Sequence, residues 1–301
     1  MSKILITGAS GFVGSNLTNV IKSTRCVVRK DCKHSFLDSF EIDDLNGSTN
    51  WDGAFDGIET VVHLAGLAHG TYKFTAHDYE RVNVLGTIAL AKASARAGVK
   101  RFVFVSTIGV NGIKTRSIPF SSNMSPDPRN TYAASKLKAE QVLIQIQKET
   151  QLEVVIVRPP LIYGPGAPGN FNLLVKLINY CPFLPFGLTR NKRDFISIQN
   201  LVDFLVVCIS HENAPGNIFL VSDNQTVCTK EFTNAIAKGL GKKVYQLPIP
   251  IDLIKLLGNL CGKSATIEQL FGNLHVDSSD VKRVLDWTPP YTMEESMLFL
   301  K

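Results

Sequence analysis

Charged residues make up only 19% of this 301-residue chain and never gather into a basic run. That argues against a nucleic-acid partner and leaves the net charge of +6 to serve anionic small ligands. Cysteine is sparse and scattered. Cys26, Cys32, Cys181, Cys208, Cys228 and Cys261 include no CxxC pair and no zinc spacing, so reduced thiols are expected and disulfides are not. No apolar run reaches the roughly 18 to 20 residues that span a bilayer. The chain enters a strand-like Lys3-Ile4-Leu5-Ile6-Thr7 without a basic region or cleavage site before it, so a cytoplasmic location is expected. Apolar residues 247–257 read as a buried helix rather than a membrane-surface anchor, because lysines do not line one face. His34, His63, His69, His77, His211 and His275 lack metal-ligand spacing, and no hydrolase elbow occurs, so no metal site is expected. Gly262-Lys263-Ser264 imitates the end of a phosphate loop, but the glycine required five residues earlier is Leu257.

What is present is an alternation of short β-branched runs with helix-period segments, the pattern of a parallel sheet built from βαβ units. Strands are expected over 3–7, 26–29, 60–65, 101–106 and 153–158. Helices are expected after Gly14, with Leu17, Val20 and Ile21 facing the core; over 78–97, with Val82, Leu85, Ala89 and Ala93 inward; and over 131–150. The fold class is therefore α/β, a doubly wound parallel sheet of Rossmann type. The proline and glycine cluster from Pro159 to Gly169 ends regular structure. It divides a dinucleotide-binding domain (1–165) from a smaller C-terminal α/β substrate domain (166–301), some of whose segments return to the sheet. Further strands are expected over 194–198, 218–221 and 244–247, and a helix over 280–286.

Gly8-Ala9-Ser10-Gly11-Phe12-Val13-Gly14 follows the first strand and opens the first helix. In G-x-x-G-x-x-G the first glycine permits a tight turn, the second lets backbone approach a pyrophosphate, and the third lets helix and strand pack closely. The helix N-terminus supplies N–H groups for the phosphates. At the end of the second strand, where NAD enzymes place an acid for the ribose, stands Arg29. Its forked donors suit a 2′-phosphate, favouring NADP(H), with NAD(H) open because Asp31 lies two residues on. The plain alternative is a solvated arginine.

Tyr132 and Lys136 stand at i and i+4 on one helix face. A cation beside a phenol lowers its pKa and readies it for proton transfer to or from a carbonyl or alcohol oxygen. Ser106 and Thr107 end the fourth expected strand at the carboxyl edge of the sheet, where ligands bind. Either hydroxyl could reach the reacting oxygen, or both could merely satisfy backbone groups.

Together these elements make the chain resemble, over essentially its whole length, the extended short-chain dehydrogenase/reductase family, in its nucleotide-sugar (NAD-dependent epimerase/dehydratase) branch. The carriers are Thr7 to Gly14, Asp44-Leu45, His63-Leu64-Ala65-Gly66, Asn83, Thr107 with Ser106 before it, and Tyr132 with Lys136. The resemblance implies that Asp44 and Leu45 meet adenine, and that Leu64, Ala65, Gly66, Asn83 and Pro159 line the cofactor. It implies Thr107, Tyr132 and Lys136 as the catalytic set, and Thr107, Asn170 and Arg193 as contacts to a UDP-sugar. It points to C4-acting enzymes of bacterial surface-polysaccharide synthesis, such as reductases forming UDP-N-acetylquinovosamine, with UDP-glucose 4-epimerases as near neighbours. A homodimer is implied too. A non-catalytic NADP-binding regulator is the remaining alternative, disfavoured by the intact Thr107, Tyr132 and Lys136.

Overall fold

The computed structural model describes residues 3–68, 74–260 and 264–301. His69, Cys261, Gly262 and Lys263 lie outside the described residues.

In chain order the elements of the first half are β1 (Lys3–Thr7), α1 (Phe12–Val20), β2 (Thr24–Arg29), β3 (Ser39–Ile42), β4 (Ile58–His63), α2 (Ala76–Tyr79), a π-helical stretch (Glu80–Gly86), α3 (Thr87–Arg96), β5 (Arg101–Val105), α4 (Thr131–Glu149) and β6 (Glu153–Arg158). The second half holds β7 (Leu161–Tyr163), α5 (Asn170–Tyr180), β8 (Phe183–Leu184), β9 (Phe195–Ser197), α6 (Ile198–Ser210), β10 (Ile218–Leu220), α7 (Thr229–Gly239), β11 (Tyr245–Gln246), α8 (Ile251–Leu260), α9 (Ser264–Phe271), α10 (Ser279–Leu285) and α11 (Met293–Leu298).

Seven parallel strands form one sheet in the order β10-β6-β5-β4-β1-β2-β3. The strands are buried on both sides because their side chains alternate between two helix layers. Ile4, Ile6, Val62, Val103, Val155 and Val157 pack with α1, α6 and α10. Leu5, Val61, Phe102, Phe104, Val154 and Ile156 pack with α3 and α4. Doubly wound packing is thus observed, and β10 returns from the second half to pair with β6. A third core gathers Tyr163, Phe171, Ile178, Phe186, Phe195 and Phe232, and Phe12 touches both this core and the sheet.

Several expectations need correction. Val20 is exposed at the end of α1. Leu85 is exposed whereas Asn83 and Val84 are buried, because the π-helical stretch widens the turn and rotates the inward face by a residue. β3 was not expected: Ser39, Phe40 and Glu41 are at most partly covered and only Ile42 of the four is buried, so the segment lacks a continuous apolar run. Residues 247–257 do not form a buried helix. Leu253 and Leu256 of α8 are exposed, while Ile251 and Ile254 lean on the third core.

Candidate active site

The crevice lies where the strand order reverses, between β1 and β4, outside their carboxyl ends. Gly8 turns there with φ +72°, and a Cβ on it would meet the Ala65 nitrogen at 2.7 Å. On Gly14 a Cβ would meet the Ala9 Cα at 2.7 Å. Glycine is required at both. Gly11 heads α1 with no side-chain cap and no acid in the first turn, so the helix presents open N–H groups beside exposed Ser10 and half-buried Phe12 and Val13.

The second wall is tied down by buried polar groups. His63 bonds Thr7 Oγ1 through Nδ1 (2.6 Å) and Thr87 Oγ1 through Nε2 (2.9 Å). Burial, with Lys136 adding, lowers the imidazole to about 3, so it stays neutral. Thr7 Oγ1 also accepts from the Ala65 N–H (3.2 Å). Asn83 accepts from Leu67 N–H (2.8 Å) and donates to the Leu67 carbonyl and to Ser135 Oγ, each at 3.0 Å. Leu64, Ala65 and Gly66 are thereby held beside Gly8, with the Gly66 Cα side turned to Asn83 and Lys136.

Just past β3, Asp44 bonds the Leu45 N–H and pairs with Arg81. Burial opposes ionisation of Asp44, but these bonds outweigh it and lower the carboxyl. Leu45 is buried against Gly86. Arg29 ends β2 exposed, and its guanidinium makes no hydrogen bond or ion pair with another described residue, whereas the neighbouring Lys30 pairs with Asp43.

Asn130 caps α4 by accepting from the Ala133 N–H (2.8 Å), which sets Tyr132 in the first turn and Lys136 one turn on. Lys136 is buried, donates to the Val105 carbonyl (2.9 Å) and lies over the Phe104 ring. Burial lowers its ammonium to about 8, against a raising influence from Glu140. Tyr132 packs near Tyr79 (centroids 6.1 Å apart). Here the expectation of a lowered phenol is corrected: burial, with Tyr79 adding, pushes Tyr132 up to about 12. Lys136 does not reverse this, being committed to a backbone carbonyl.

Thr107 accepts from the Gly109 N–H (3.1 Å), which leaves its own O–H free to donate. Ser106 Oγ is buried without any hydrogen-bond partner, an orphan that costs stability unless a ligand satisfies it. Open N–H groups, glycines with no room for a Cβ and this orphan all fit a dinucleotide. Among the described residues no group of three or more His, Cys, Asp or Glu could hold a metal.

Pro159 is buried, and its carbonyl accepts from Ile108 N–H (2.9 Å). Beside it Arg158 reaches Glu140 through two donors (3.0 and 2.5 Å) and Asn111 at 2.9 Å. This buried pair, tying α4 to β6, was missed from sequence; its signal was an acid at i+4 from Lys136, on the inward face of the helix. Parallel pairing of β7 with β9 sets Leu161 opposite Phe195, which brings the segments of Pro159 and Arg193 alongside. Arg193 donates to the Gly272 carbonyl (2.8 Å) and lies over the Phe195 ring. Burial lowers its guanidinium to about 10, so it remains a cation. Asn170 heads α5, exposed, and donates to Gln269 (2.7 Å). Two of the three expected substrate contacts, Asn170 and Arg193, therefore lean on residues 269–272, a junction sequence reading did not find.

The NAD dependent epimerase/dehydratase family matches residues 4–222. A UDP-glucose 4-epimerase of Vibrio cholerae is 41% identical over 97% of this chain and 92% of its own length. The chain belongs to the NAD-dependent epimerase/dehydratase family. Solved structures share the fold of this epimerase/dehydratase: MoeE5 in complex with UDP-glucuronic acid and NAD (TM-score 0.76, 23% identity, 99% of this chain and 97% of that one). Another is RMD from Pseudomonas aeruginosa complexed with NADPH (TM-score 0.72, 21% identity, 99% and 98%). Relatives of this fold thus bind either nicotinamide cofactor.

Proposed function

We propose that this protein is an oxidoreductase acting at C4 of a UDP-hexose, reducing a UDP-4-keto-6-deoxy-N-acetylhexosamine with NADPH in surface-polysaccharide synthesis in the cytoplasm. The observation that carries this reading is Arg29: an unpaired guanidinium at the end of β2, where a 2′-phosphate would be gripped and an acid would repel it. A reductase exchanges its cofactor at each turnover, and NADPH is the usual reductant.

In this reading residues 1–165 hold the cofactor and 166–301 the sugar nucleotide, apart from the segments that return to the sheet. The α1 N-terminus from Gly8 to Gly14, with Ser10, Phe12 and Val13, would take the pyrophosphate. Asp44 and Leu45 would flank adenine, Lys136 would hold the nicotinamide ribose, and Leu64, Ala65, Gly66, Ser106 and Pro159 would line the nicotinamide. Asn83 would act through Leu67. When bound, NADPH supplies the hydride to C4. Thr107 donates to the C4 oxygen, and Tyr132, protonated at neutral pH by virtue of its raised pKa, delivers the proton to that oxygen as it becomes an alkoxide. Asn170 and Arg193 bind the diphosphate.

The 41% identical 4-epimerase favours a second reading, UDP-hexose 4-epimerisation with retained NAD. In that case Tyr132 would act first as a base, taking the 4-OH proton while NAD+ takes the C4 hydride. The test is absorbance of NADPH or NADH in the presence of UDP-4-keto-6-deoxy-N-acetylglucosamine. Stoichiometric oxidation, faster with NADPH, is expected. No oxidation, with interconversion of UDP-glucose and UDP-galactose in the absence of added cofactor, would replace the reductase by the epimerase.

A further inference from the structure

The outer surface of the third core is apolar where a protein surface is ordinarily polar. α5 buries Phe171, Leu174 and Ile178, and turns Leu173, Leu177 and Tyr180 outward, the last 88% exposed. Three residues later comes Phe183 (54% exposed), whose ring stacks on Tyr245 (58%) across the β8–β11 pair, centroids 5.6 Å apart. Leu247, two residues past Tyr245 and so on the same side of that strand, is exposed as well, and its carbonyl accepts from Gly187 N–H (3.0 Å). The chain then enters α8, which leans Ile251 and Ile254 on the core and exposes Leu253 and Leu256. Isolated exposed leucines mean little, but aromatic and aliphatic side chains gathered on consecutive elements mark an interaction face.

Charge says what covers it. Segments 170–190 and 239–256 contain Lys176, Arg190, Lys242, Lys243 and Lys255 against the single acid Asp252, carrying four of the chain's six net positive charges. All five cations are exposed. None forms an ion pair with a described residue, so all five charges are open to an anionic partner. Unpaired cations interleaved with exposed leucine, phenylalanine and tyrosine match an anionic lipid surface, whose headgroups take the charges and whose acyl boundary takes the apolar side chains. A second copy of this chain would set these cations against one another.

We propose that the face formed by α5, the β8–β11 pair and α8 docks the protein peripherally on an anionic membrane. No helix among the described residues is long and apolar enough to cross one, so attachment is by this face alone. α5 runs along the face and begins at Asn170, so docking places the lipid beside the side of the molecule proposed to bind the sugar nucleotide. The proposal is independent of the reaction catalysed.

Flotation of the full chain with vesicles tests it, comparing phosphatidylcholine alone with equimolar phosphatidylcholine and phosphatidylglycerol. The wild type floats with the anionic vesicles only and is released by salt. Leu253→Glu/Leu256→Glu and Lys242→Gln/Lys243→Gln each weaken binding by about tenfold or more, with melting by circular dichroism unchanged. The second pair alters only exposed cations, so it reads out even if the first misfolds. Failure of the wild type to float, or equal flotation of the Lys242/Lys243 variant, overturns the proposal. So does a concentration-dependent dimer that the leucine variant abolishes, since the face would then be covered by a second copy.

Discussion

The two sides of the crevice are built differently. On the cofactor side the polar groups are buried and cross-linked: His63 between Thr7 and Thr87, Asn83 on Leu67 and Ser135, and Glu140 on Arg158. On the side proposed for substrate, Asn170 is exposed with one side-chain partner, Gln269, and the Arg193 guanidinium has one hydrogen-bond acceptor, the Gly272 carbonyl, beside the Phe195 ring. In the proposed reading the first arrangement would hold the cofactor in one pose, and the second could change its specificity with few consequences for folding. Low partner number, rather than distance from the core, marks the adaptable half.

If that contrast holds, the largest loss comes from the rigid side. Tyr132→Phe removes only a hydroxyl and is expected to lower kcat by about 10²- to 10⁴-fold, while NADPH affinity measured by fluorescence titration stays within a factor of about two. Near wild-type turnover would remove Tyr132 from the chemistry. Next is Glu140→Ala, which strands the Arg158 guanidinium in the core and is expected to cost about 3–5 kcal/mol of unfolding free energy. Denaturant unfolding checks this, and a loss below 1 kcal/mol would mean that water reaches Arg158 and the side is less rigid than described.

The cofactor side was also the more legible in the sequence, for a physical reason. Gly8 to Gly14 and Tyr132 with Lys136 are local spacings, and a turn or one helix face brings such residues together without help from elsewhere. β3, the exposure of α8, the Glu140–Arg158 pair and the junction at 269–272 depend on segments far apart in sequence. Leu85 misled because a π-helical stretch breaks the 3.6-residue period. Tyr132 misled because i and i+4 spacing places Lys136 on the same helix face but does not say that its ammonium turns to the Val105 carbonyl.

Arg29→Asp probes the contact proposed for the 2′-phosphate, whose guanidinium has no partner among the described residues. Loss of a charge-assisted contact, plus repulsion of the 2′-phosphate, should raise Kd for NADPH by about 10- to 100-fold and leave NADH nearly unchanged. Equal effects on both would remove the 2′-phosphate from the argument. Across the crevice, Asn170→Ala should raise KM for the sugar nucleotide only about 2- to 10-fold, the worth of a neutral hydrogen bond, with no change in Tm. A fall in Tm would show that the Asn170–Gln269 bond is structural and would break the comparison.

The smallest effect at working pH belongs to Lys136. Its ammonium, lowered to about 8 by burial, is present below that pH and lost above it, so kcat/KM should be half-lost near pH 8 and fall about tenfold per unit beyond. Stability runs the other way. Between pH 8 and the ordinary lysine value near 10.5 the unfolded chain binds the proton that the folded chain has released, so this group makes the fold more stable as pH rises. Activity falling while this contribution to stability grows separates titration of Lys136 from general alkaline unfolding, which would lower both. Lys136→Met, with its residual activity followed over the same range, should lose the limb near pH 8. If the limb persists, the titrating group lies elsewhere, and Lys136 serves only to hold Val105.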